Sequence, residues 1–181
     1  TNIMEVCKMM RKLFDEELEK LNVDLTKMGH LVEVAIENMI DAFKHQDKAL
    51  AKEIITNDRL INDMERTVES RAFNLILRQQ PIATDLRNVT TALKIVTDLE
   101  RIGDQAADIA EIIMNFEGEH AYKTVEHIPT MAKKAKIMVH EAIDSFIKKD
   151  EPKEARGKHI WTNYYTVPFK TNEAGEVEIE Q

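Results

Sequence analysis

One feature limits the possible folds more than any other. Leu18, Leu21, Leu25, Met28, Val32, Ala35 and Met39 recur at alternating steps of three and four. That spacing returns apolar side chains to one stripe of an α-helix, sustained here over about four heptads. Such a stripe must be covered by other helices, so the chain is expected to form a bundle. Few residues interrupt it. The 181-residue chain has five Gly and four Pro, too few to punctuate many short strands.

The helices follow in order. A ragged leader is expected over residues 1–9 and a first helix from about Met10 to Lys44. Gly29, inside that helix, is read as a point of close helix packing. Asp47 is a good N-cap for a second helix to about Arg78, with Leu50, Ile54, Ile61, Val68, Ala72 and Leu75 as its seam. Gln79-Gln80-Pro81 ends it, because a residue before proline is disfavoured in the α region. The next helix therefore turns straight back, from about Ile82 to Phe116. It is apolar on two sides, with Leu86, Val89, Leu93 and Val96 on one stripe and Ile95, Leu99, Ile102, Ile109 and Ile113 on the other. A fourth helix is expected from about Ile128 to Lys149, with Ala132, Ala135, Val139, Ala142, Ile143 and Phe146 inward. After Asp150 the composition changes. Trp161–Phe169 is β-prone and Glu176–Glu180 alternates, so a short hairpin around Asn172–Gly175 competes with an unfolded tail.

The third helix carries the chemistry. Glu100, Asp104, Asp108 and Glu111 fall on one line at spacings of four, four and three. Like charges at that spacing repel by a few tenths of a kcal/mol per pair. Gly103, Ala106, Ala107 and Ala110 beside them let another helix approach. Acids on a smooth small-residue face point to a cation. Three carboxylates on one helix cannot enclose it alone. Antiparallel stacking brings Asn62, Glu65 and Glu69 of the second helix roughly level with Glu100, as completing ligands or as a solvated face. Hard oxygen ligands suit Mg, Ca, Mn or iron better than structural zinc.

Several other features have plain readings. Glu33, Glu37 and Asp41 lie off the seam and face solvent. Glu117 and His120 have the Glu-x-x-His spacing of di-iron bundles, but flank Gly118 at a helix end, which argues against a ferritin-like oxidase. Arg87 and Arg101 most simply form interhelical ion pairs, with an anion-binding role at Arg87 as the alternative. The net charge of −8 argues against general nucleic-acid binding. One cysteine, Cys7, excludes an internal disulfide and fits a reducing cytosol. No apolar run reaches the length of a membrane span, and residues 1–12 show no secretory signal.

By the third helix the chain resembles PhoU-type regulators of phosphate uptake. The resemblance rests on Leu13-Phe14-Asp15-Glu16-Glu17-Leu18-Glu19-Lys20-Leu21, on Met28-Gly29, and on Gln79-Gln80-Pro81-Ile82-Ala83-Thr84-Asp85-Leu86-Arg87. It rests most on Asp98-Leu99-Glu100-Arg101-Ile102-Gly103-Asp104, an acidic Glu/Asp-x-x-x-Asp signature. It covers about residues 10–150. It implies an all-α protein of up-down three-helix repeats, each able to hold a metal cluster. It also implies a cytoplasmic regulator, not an enzyme. That regulator couples the phosphate ABC transporter ATPase to a two-component sensor histidine kinase and represses the phosphate-starvation response.

On this reading residues 10–117 are a first repeat, 127–150 begin a second, and 151–181 diverge. No second acidic signature follows Asp150. A natural truncation, a shifted reading frame and a divergent variant are the three explanations. Seams on helices three and four left bare by the missing helices predict a homodimer, with no direct membrane insertion. Two other classes stay open: a structural bundle without metal, and a carboxylate-bridged metallo-enzyme.

Overall fold

A computed structural model describes residues 3–81, 83–116, 127–148, 169–171 and 177–179. The chain divides into two compact units, Thr1–Ile143 and Asp144–Gln181.

The first unit is an antiparallel helical bundle. Helix α1 spans Ile3–His45, α2 Lys48–Gln79, α3 Ala83–Asn115 and α4 His127–Lys148, the last turn of α4 belonging to the second unit. The core is the expected seam. Leu21, Leu25, Met28 and Val32 of α1, Val68 of α2, and Val89 and Val96 of α3 are fully buried. Leu86 of α3 and Ala135 and Ala142 of α4, expected inward, are exposed, and on α1 and α2 the stripe slips by one position. Ile36 is buried where Ala35 was expected, and Ala51 where Leu50 was expected. Straight helices drift against a strict seven-residue repeat, which moves the stripe by one position over several turns.

Residues 3–9, expected as leader, continue α1. No glycine or proline precedes Gly29, so nothing stops the helix from running back to Ile3.

Asp47 caps α2 as its position predicted: its Oδ1 accepts from the backbone N–H of Ala49 and Leu50 at 2.9 and 3.0 Å. At the other end Gln80 takes the left-handed conformation, and its N–H donates to the carbonyl of Ile76 at 3.1 Å. Ala83 also has a positive φ, 41°. The turn about Pro81 is thus tight, and α2 and α3 lie side by side.

Asp24, 8% exposed, accepts a 2.8 Å hydrogen bond from Arg71 Nε, and Arg71 also reaches Glu17 at 3.4 Å. This pairing ties α1 to α2. Arg11 of α1 bonds Asp85 of α3 and stands 5.3 Å from the Phe14 ring centroid.

Helix α4 rests on α1. The side chain of Ile143 fills the notch left by Gly29, where a Cβ would collide with it. Close packing is therefore the reason for glycine at this position. Lys136 donates to Glu37 at 2.7 Å, and His140 Nδ1 lies 3.0 Å from Glu33 Oε1. Glu33, expected in solvent, is 16% exposed beside His140, whereas Glu37 stays 59% exposed, as expected, while pairing with Lys136.

In the second unit Lys148 pairs with Asp144 at 2.6 Å. Two short strands, β1 (Phe169–Thr171) and β2 (Val177–Ile179), pair antiparallel, with Phe169 opposite Ile179 and Thr171 opposite Val177. Trp161, Glu117, His120 and the Asn172–Gly175 turn lie outside the described residues.

Candidate metal centre

The acidic line of α3 faces a second line on α2. On α2 the positions are Asp58, Asn62, Glu65 and Glu69, spaced four, three and four; on α3 they are Glu100, Asp104 and Asp108. Gly103 makes the approach possible. An added Cβ there would lie 2.8 Å from Ile61 Cδ1 and 3.2 Å from its Cγ2. Only glycine lets α2 come this close, so the packing of one apolar pair sets the separation of the two acidic lines.

The electrostatics show that the lines interact. Burial lifts the Glu100 carboxyl above its ordinary range, and repulsion from Asp104, Glu65 and Asp58 adds to it. Asp58 is raised by burial first, then by Asp104 and Asp108, with the Asn62 amide opposing. Glu65 is raised by burial, Glu69 and Asp104, against the pull of Arg66. Three carboxyl groups from two helices are thus held where a negative charge is unwelcome.

Asn62 Nδ2 donates to Asp58 Oδ2 at 2.9 Å. The other oxygen of each residue, Asp58 Oδ1 and Asn62 Oδ1, is buried with no hydrogen-bond partner among the described residues. Both orphans are acceptors, and what satisfies an acceptor is a proton or a cation. The donor set is hard oxygen throughout, which suits Mg, Ca, Mn or iron. Among the described residues, no three Asp, Glu, His or Cys side chains close around a common point as they stand. The helices bring the right atoms to one face; a cation would draw the side chains the remaining distance.

Of the expected ligands, Glu100 and Asp104 stand at the middle of this face, with Glu65 across from them. Asp108 is exposed on α3 and bears on Asp58, while Glu69 is half-buried and bears on Glu65. Asp58 is the residue that sequence reasoning missed. In the sequence it stands beside Arg59, which makes that stretch mixed in sign, as on a solvated face. The available signal was its place four residues before Asn62, on the Glu65–Glu69 line. Arg87 and Arg101 do not form the expected ion pairs. Both are exposed, and among the described residues neither has an acidic partner, because Arg11 and Arg71 make the bonds between helices.

This architecture defines a class: an antiparallel three-helix domain with paired acidic lines on its second and third helices. The family model described as the PhoU domain matches residues 25–113, from the middle of α1 to near the end of α3. Curated relatives agree. The phosphate-specific transport system accessory protein PhoU homolog of Clostridium acetobutylicum is 41% identical over 143 residues, covering 78% of this chain and 65% of that protein. The homolog so named from Pseudomonas aeruginosa is 38% identical over 141 residues, covering 76% and 57%. That of Aquifex aeolicus is 39% identical over 139 residues, covering 77% and 62%. The crystal structure of PhoU from Pseudomonas aeruginosa superposes with a TM-score of 0.68 at 33% identity, over 75% of this chain and 65% of that one. Over residues 25–113 the chain carries a PhoU domain. It spans somewhat less than two thirds of the length of these relatives.

Proposed function

We propose that the chain acts as an accessory regulator of phosphate transport and is not an enzyme. The observation that carries this reading is the 41% identity to a protein named as an accessory of the phosphate-specific transport system. In its finer form, the protein is an adaptor between the phosphate ABC transporter ATPase and a sensor histidine kinase. It represses the phosphate-starvation response when phosphate is plentiful. It works in the cytoplasm as a homodimer. No described helix is long and apolar enough to cross a membrane, so contact with the transporter runs through protein.

The acidic face fits the same account. Glu100, Asp104 and Asp108, with Glu65, Glu69 and the missed Asp58, would hold a divalent or iron cation. Its charge would relieve their mutual repulsion and lock α2 to α3. Elemental mass spectrometry of the purified protein tests this. The pair Glu100→Ala and Asp104→Ala removes the bound metal if the reading holds; unchanged metal content contradicts it. The regulatory role is tested with a phosphate-starvation reporter in a strain lacking its own PhoU. Expression of this chain lowers the reporter in high phosphate, and a reporter unmoved by its expression contradicts the role.

A further inference from the structure

The tip where α2 turns into α3 has features that neither the core nor the acidic face uses. Phe73 and Leu77, one turn apart on α2, are 53% and 75% exposed, and Leu86 near the start of α3 is 38% exposed. The contact of Ile61 with Gly103 fixes the antiparallel register of the two helices. Carried toward Pro81, that register places Leu77 level with Leu86. Arg78 and Arg87 stand beside them. Both are exposed, and neither has an acidic partner among the described residues. Of the acids at this end, Asp85 and Asp15 pair with Arg11, and Glu16 with Lys12. In a chain of net charge −8, this end therefore shows two free guanidinium groups beside large apolar side chains. Arg78 also suits the negative C-terminal end of α2. Arg87 has no such structural role. Gln80 and Ala83, with φ of 45° and 41°, hold the turn in a conformation that L-residues rarely adopt.

We propose that this tip is a docking surface for a protein segment that presents apolar residues flanked by carboxylates. Aromatic and arginine side chains are both enriched at protein–protein interfaces. The charge complement decides the partner: a basic segment would meet Arg78 and Arg87, and an acidic one pairs with them. Apolar residues of the segment cover Phe73, Leu77 and Leu86, and its carboxylates bridge the two arginines. The surface is separate from the acidic face, so it requires no metal.

The probes are two amphipathic helical peptides of about four turns. They share one leucine stripe and differ only in carrying Glu or Lys beside it. Binding to the full chain is read by fluorescence anisotropy. The Glu peptide binds saturably, and the Lys peptide at least about tenfold more weakly. Leu77→Ser, and separately Arg78→Glu with Arg87→Glu, weaken the Glu peptide by about tenfold or more. These residues are exposed, so the variants keep the parent's circular dichroism, with a small drop in melting temperature for Arg78→Glu at the negative end of α2. Equal or tighter binding of the Lys peptide overturns the proposal, as does an affinity indifferent to these substitutions. Displacement of the Glu peptide by millimolar inorganic phosphate at constant ionic strength also overturns it, because it makes the arginine pair a small-anion site.

Discussion

Ile61 of α2 lies directly against Gly103 of α3, its Cδ1 2.8 Å and its Cγ2 3.2 Å from the place where a Cβ would stand. The residue after Gly103 is Asp104, the centre of the acidic face. One glycine thus determines both the packing of the two helices and the distance between their carboxylates.

Gly103→Ala is expected to destabilise the domain by up to about 2 kcal/mol. Alanine gains roughly 1 kcal/mol in helix propensity, but overpacking a full core costs about 1–3 kcal/mol. Ile61 is buried and β-branched, so its Cγ2 has little room to turn away. Chemical denaturation of the variant checks this, and a midpoint at or above the parent's argues against it.

Gly29→Ala is expected to behave differently. There the closest neighbour is the flexible end of Ile143. Helix α1 gains roughly 1 kcal/mol of propensity while the seat of α4 is lost. Hydrogen exchange then quickens in residues 127–143 and stays slow in α1–α3. Unchanged protection in α4 counts against this packing role.

Arg71→Met leaves Asp24 buried without its main partner. Breaking one side of a buried pair costs about 3–5 kcal/mol, and the cost here lies toward the lower figure, since Lys27 remains 3.4 Å from Asp24. A loss below about 1 kcal/mol, the scale of an exposed pair, shows that the Asp24–Arg71 bond does not hold α1 to α2.

The raised carboxyl groups give a pH dependence with a definite sign. Asp58, Glu65 and Glu100 bind a proton more tightly when folded than when unfolded. Their protonated forms favour the fold below the ordinary carboxylate range, and that contribution is lost as pH rises through their elevated values. Glu17 and Glu37 are lowered, chiefly by hydrogen bonds from Lys20 and Lys136, and act oppositely: their stabilisation is lost as pH falls. Glu65→Gln with Glu100→Gln is therefore expected to raise the metal-free melting temperature at neutral pH and to leave it nearly unchanged at pH 4. Equal effects at both pH values would refute the coupling. Divalent cation should raise the parent's melting temperature and not the variant's.

Most of the bundle was legible because long helices broadcast their buried face at a fixed period. The α1 seam, the Asp47 cap and the purpose of Gly29 all follow from local rules. What stayed hidden depends on the azimuth of one helix against another. Glu33 looks solvated until His140 of α4 comes beside it. Arg87 looks like a partner for nearby acids until Arg11 takes Asp85. Asp58 was concealed by its neighbour Arg59, although adjacent residues on a helix point about 100° apart. The acidic line on α3 was visible as a line of like charges; the line opposite it became certain only once Gly103 and Ile61 placed α2.

The regulatory account is tested most directly by co-purification. The chain, immobilised, is presented with purified phosphate ABC transporter ATPase in phosphate-replete buffer. It is expected to retain the ATPase in stoichiometric amount, and to retain a nucleotide-binding subunit from an unrelated transporter no more than bare resin does. Equal recovery of the two subunits, or of neither, would contradict the account.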